Sequence, residues 1–93
     1  MSKYEIMRTT KFKSDYKNAV KRGCDVSKLH KVISILSEGD KLPEECRDHM
    51  LTGNYAGYRE CHTEPDWLLA YKVYKKELVL YLYRTGWHSD LFK

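Results

Sequence analysis

The spacing of apolar residues changes several times along the chain, and each change marks an element. Tyr4 to Arg8 reads as a short strand. Thr9 or Thr10 then offers an N-cap hydroxyl, and Phe12, Tyr16, Ala19 and Val20 follow at helical spacing as one apolar stripe. Lys11, Lys13, Lys17 and Lys21 fall mostly outside that stripe, and Gly23 is placed to end the helix. A second helix opens at Asp25, buries Val26, Leu29, Ile33 and Leu36 with Val32 and Ile35 widening the face, and closes at Gly39. The short link between them predicts a helical hairpin.

From Asp40 to Gly57 no period holds. Pro43-Glu44-Glu45 suits the start of a single helical turn. A connection this long inside a compact domain is usually functional or mobile. Three strands follow. Tyr58 to His62 alternates, with Tyr58, Glu60 and His62 on one face and Arg59 and Cys61 on the other. Thr63 to Asp66 has turn composition. Trp67 to Tyr74 is almost wholly apolar, as a central strand is. Lys75-Lys76 marks a hairpin, and Glu77 to Tyr83 alternates, with Leu78, Leu80 and Leu82 turned toward the helices. The order β-α-α-β-β-β predicts an α+β fold: a two-layer domain with the helical hairpin on one face of a largely antiparallel four-stranded sheet.

Ninety-three residues argue for one domain, 1–93, with one small core. Apolar content of 42% with 32% charged residues fits an ordinary soluble protein. No apolar run reaches the roughly 18 residues of a membrane span, and the N-terminus lacks the apolar core of a signal peptide. The expected compartment is the cytoplasm. Three cysteines, with no CxxC pair, argue against a disulfide framework or a structural zinc site. Cys61 beside His62 suggests a nucleophile only until strand geometry is considered, because neighbours on a strand point to opposite faces. The net charge of +4 is uneven. Residues 1–41 hold ten Lys/Arg against five Asp/Glu, and residues 42–93 hold seven against eight. The basic surface and the histidine-rich segments therefore fall in different halves.

Those segments carry the candidate chemistry. His49 lies in the long connection. His62 and Asp66 flank a turn, followed by Trp67. Arg84, Trp87, His88 and Phe92 occupy the tail. The predicted strand ends bring them to one edge of the open sheet face. The histidine separations match no compact zinc motif. The set suits RNA cleavage by an internal 2′-hydroxyl. Histidine titrates near neutral pH and can serve as base or acid. Arginine steadies a phosphate through forked hydrogen bonds, and aromatic rings stack on unpaired bases. No cofactor is needed for that chemistry.

The run Asp48-His49-x-Leu51-x-Gly53, then Gly57-Tyr58-Arg59-x-x-His62-x-x-Pro65-Asp66-Trp67-Leu68-Leu69-x-Tyr71, then Arg84-Thr85-Gly86-x-His88-Ser89-Asp90-Leu91-Phe92 resembles the YafQ-type mRNA interferase toxins of the RelE/ParE superfamily, across nearly the whole chain. The resemblance implies the toxin of a type II toxin–antitoxin system: a ribosome-dependent endoribonuclease that cuts mRNA in the A site. Its partners would be a cognate antitoxin, the ribosome and mRNA. It implies His88 as general acid, and Asp66, His62 or His49 as base. Arg84 would hold phosphate and Phe92 would bind a base, while Trp67 supports the site or packs against substrate. Two positions depart from the family pattern. Met50 stands where relatives commonly have proline, and Trp87, a further stacking candidate, stands where a small threonine is usual. The ParE branch of the superfamily, non-catalytic inhibitors of DNA gyrase, is the alternative. A gyrase inhibitor has no need of a His/Asp cluster, and this chain has one.

Overall fold

A computed structural model describes residues 2–87 and Leu91. The elements in chain order are β1 (Glu5–Arg8), α1 (Thr10–Lys21), α2 (Val26–Ser37), β2 (His49–Met50), β3 (Arg59–Glu64), β4 (Trp67–Tyr74) and β5 (Val79–Trp87). Single 3₁₀ turns at Glu44–Cys46 and Gly53–Tyr55 punctuate the long connection.

The helices form for local reasons. Thr9 caps α1 by accepting the Phe12 N–H, and Asp25 caps α2 by accepting the Ser27 N–H. Each helix ends in a glycine with positive φ, Gly23 at 80° and Gly39 at 79°. Paired backbone bonds satisfy the last carbonyls there: Gly23 N–H to Val20 O with Cys24 N–H to Ala19 O, and Gly39 N–H to Leu36 O with Asp40 N–H to Ile35 O. Leu29, Val32, Ile33 and Leu36 are buried as the stripe predicts, but Val20 is 51% exposed.

The sheet order is β1-β5-β4-β3-β2, with β1 parallel to β5 and the other pairs antiparallel. The predicted four strands are thus five, because His49–Met50 pairs with Arg59 and Glu60. Two boundaries also move. β3 runs on to Glu64, and β5 runs on to Trp87, so Arg84 lies inside the last strand and not at its end. Leu78 is not on the strand. It sits in the turn at φ 55° and is exposed. Leu80 and Leu82 do face the helices and join Phe12, Leu29, Cys61, Leu69 and Tyr71 in the core.

Beyond Arg8, β1 no longer covers the edge of β5, and α1 takes its place. Thr9 N–H donates to Leu82 O and the Thr9 hydroxyl to Tyr83 O. On the face away from the helices, Leu68 and Ala70 are fully buried although neither belongs to the main core. Leu91 helps close that face. A Cβ at Gly86 would lie 3.3 Å from its side chain.

The long connection is fastened by Asp48. Its carboxylate accepts from Arg59 Nε (3.3 Å) and Nη2 (3.2 Å) and from the Tyr71 hydroxyl. Replacing Asp48 by alanine leaves a guanidinium and a phenol without their acceptor. The expected loss is about 1.5–3 kcal/mol of folding stability, measured as a lowered urea midpoint with unchanged m-value.

Candidate active site

Pairing places the predicted residues in rows. His49 on β2 stands opposite Glu60 on β3, Glu60 opposite Ala70 on β4, and Ala70 opposite Arg84 on β5. Adjacent strands lie about 4.8 Å apart, so this row spans roughly 14 Å. His62 is two residues beyond Glu60 on the same face of β3 and pairs with Leu68. His49 and His62 therefore flank Glu60, whose side chain is only 6% exposed. Irregular register interrupts the pairing between His62 and Glu64, and again between Ala70 and Tyr71. Such bulges bend strands and re-aim side chains, and here one borders His62 while the other borders Arg84.

The histidine rings are oriented by the main chain. His49 Nδ1 lies 2.7 Å from Arg47 O, and His62 Nδ1 lies 2.9 Å from Pro65 O. A carbonyl oxygen only accepts, so each Nδ1 carries the hydrogen of that bond. His49 Nε2 is 3.5 Å from Glu60 Oε1, a pair that attracts only when that nitrogen is protonated. The Arg47 carbonyl is aimed by a left-handed backbone, φ 48°. Asp66 is exposed at the tip of the β3–β4 turn.

Arg84 is held by a helix. Asp15 on α1 accepts from its Nε (2.8 Å) and Nη2 (3.0 Å), and also from the Thr85 N–H (3.2 Å). The guanidinium is fixed by one edge, while its Nη1 group makes no hydrogen bond with a described residue.

Both tryptophans belong to the other layer. Trp67 is 1% exposed within the core. Trp87 packs on that core, its ring stacked on Trp67 at 6.3 Å and 10° with the Arg22 guanidinium 4.4 Å from its centroid. Neither ring faces His49 and His62. His88 and Phe92 lie outside the described residues. Cys61 is fully buried, and burial raises its thiol pKa far above the usual range, which removes it as a nucleophile. Among the described residues no group of three or more His, Cys, Asp or Glu could hold a metal ion, and no helix is long and apolar enough to cross a membrane.

Sequence reading missed Glu60, Asp15 and Asp48. Glu60 carried a signal, since alternation set it on the face of His62. Asp15 carried none, because its partner is 69 residues away.

A small mixed sheet backed by a helical hairpin, with histidines and an arginine on its open face, defines a toxin-like α+β domain. Residues 4–93 match the family described as bacterial toxin of type II toxin–antitoxin system, YafQ. The mRNA interferase toxin YafQ of Escherichia coli K12 is 39% identical over 93 residues, 99% of each chain. The crystal structure of YafQ from E. coli BL21(DE3) superposes with a TM-score of 0.90 at 36% identity, covering 97% of this chain and 99% of that one. The toxin in the E. coli DinJ–YafQ toxin–antitoxin complex gives 0.88 at 37% identity, covering 98% and 99%. The chain belongs to the YafQ family of type II toxins.

Asp15→Ala frees the guanidinium and strips the Thr85 N–H of its acceptor. We expect a loss of about 1–3 kcal/mol in folding stability, read by urea denaturation.

Proposed function

We propose that this toxin is an mRNA endoribonuclease that cuts translated messages in the ribosomal A site by metal-independent general acid–base catalysis. The observation that carries the reading is the pair His49 and His62, each ring fixed through Nδ1, flanking buried Glu60 on the face that also carries Arg84 in register. The E. coli relative named an mRNA interferase supports the activity, and the DinJ complex of that relative supports a protein antitoxin as partner.

In the reaction, His62 Nε2 takes the proton of the ribose 2′-hydroxyl. The O2′–P bond forms and the P–O5′ bond breaks. The acid, His88, protonates the departing 5′-oxygen. The products are a 2′,3′-cyclic phosphate and a 5′-hydroxyl. Charge building on the phosphate oxygens is met by Arg84 and by His49 when its Nε2 is protonated against Glu60. Asp66 at the turn tip is the alternative base, and Phe92 is assigned to hold a base. The fork from Asp15 serves Arg84 by limiting the rotamers it must give up on binding phosphate.

His62→Ala is expected to slow cleavage about 10²- to 10⁴-fold with an unchanged melting temperature, and His88→Ala to do the same. The measurement is 5′-end mapping of translated mRNA after brief expression, where wild-type toxin gives in-frame ends. Out-of-frame or absent cuts, with growth arrest retained, would instead favour a gyrase-type target. A single 2′-deoxyribose at the cut site abolishes cleavage in a ribosome-containing extract. Continued cutting there would refute attack by the internal hydroxyl.

A further inference from the structure

With both tryptophans turned into the helix-side layer, the aromatic surface beside the catalytic row is built from tyrosines. Tyr58 immediately precedes β3 and lies two residues before Glu60 on the same face; Tyr83 immediately precedes Arg84. Their ring centroids are 4.9 Å apart with planes inclined by 38°. β3 and β5 do not pair with each other; β4 runs between them. The two rings therefore meet across the central strand, beside the row in which Ala70 stands between Glu60 and Arg84. Both tyrosines are half-buried and outside the main core. The bulge at Ala70/Tyr71 leaves Tyr83 as the unpaired residue of β5, the position such irregularities use to re-aim a side chain. Beside them, the Lys72 ammonium lies 5.5 Å from the Tyr58 centroid and 5.0 Å from that of Tyr74.

We propose that Tyr58 and Tyr83 form a nucleobase-stacking platform for the RNA strand being cut, with Lys72 binding a neighbouring phosphate. This rests on the nuclease reading above and adds a base subsite to it. The chemistry fits an unpaired nucleotide. The rings offer a π-face that any base can stack on, and the lysine supplies the positive charge that backbone phosphate needs. The platform adjoins both Glu60 and Arg84, so a nucleotide whose phosphate is held by Arg84 carries its base over the tyrosine pair.

The test compares Tyr58→Leu, Tyr83→Leu, the two phenylalanine variants and Lys72→Ala with wild type. Each is assayed on translated mRNA by 5′-end mapping and by cleavage rate, with thermal melts as the folding control. The leucine variants are expected to cut about 5- to 100-fold more slowly and to show a changed distribution of bases at the cut codon. The phenylalanine variants should keep wild-type rate and distribution. Lys72→Ala should raise KM severalfold at unchanged kcat, and it decides the matter if a leucine variant fails to fold. Equal losses in leucine and phenylalanine variants, a slower rate with an unaltered base distribution, or an unchanged KM for Lys72→Ala would each overturn the platform. Wild-type toxin making no in-frame cuts would overturn the nuclease reading itself, a result distinct from all of these.

Discussion

The arrangement depends on β4 being buried on both faces. Trp67, Leu69 and Tyr71 pack toward the helices, while Leu68 and Ala70 are equally buried on the other side. A strand enclosed in this way must satisfy its backbone through both neighbours, and it cannot slip. A one-residue shift would exchange Trp67, Leu69 and Tyr71 for Leu68 and Ala70 and empty the core of its largest rings. Because β4 cannot slip, Glu60 and Arg84 are held opposite the same residue on either side of it. The row of His49, Glu60, Ala70 and Arg84 is a consequence of that register, and the two irregularities in pairing border His62 and Arg84.

Carboxylates then fasten to this frame what the strands do not hold. Asp48 ties the connection bearing His49 to β3 and β4 through Arg59 and Tyr71. Asp15 ties α1 to β5 through Arg84 and the Thr85 N–H. Partly buried ion pairs of this kind add little net stability against an apolar alternative, yet cost several kcal/mol when one partner is removed. Their contribution is placement. The Lys28–Glu64 pair at 2.6 Å, with both side chains about half exposed, joins α2 to the end of β3 and, screened by solvent, contributes little to stability.

Much of this was legible in the sequence because the signals are local. Cap residues, positive-φ glycines and the 3.6-residue stripe locate both helices, and alternation locates the strands. His49, His62 and Asp66 could be singled out because strand ends and turns gather such groups. The failures are of other kinds. Two residues of pairing, as in β2, leave no period to detect. Alternation stops at Tyr83, whereas β5 runs on to Trp87 through Gly86, at φ 157°, where a Cβ would lie 3.3 Å from Leu91. An aromatic ring looks the same in sequence whether a core or a ligand covers it, so the burial of Trp67, 1% exposed, was not legible. Asp15 depends on a contact that only the folded chain creates.

The division between holding and reacting groups follows from solvation. A carboxylate that orients a guanidinium works best where water competes least for it, and the side chain of Asp15 is 13% exposed. A histidine that exchanges protons with substrate must be reachable, and His49 is exposed while His62 is half-buried. Reachable rings lose orientation unless something holds them. Here main-chain carbonyls do so, at Arg47 and Pro65. The same requirement underlies the base subsite proposed on the open face. A ring that supports the core has already spent its faces, as Trp67 has, and only half-buried rings such as Tyr58 and Tyr83 keep surface to offer an incoming base.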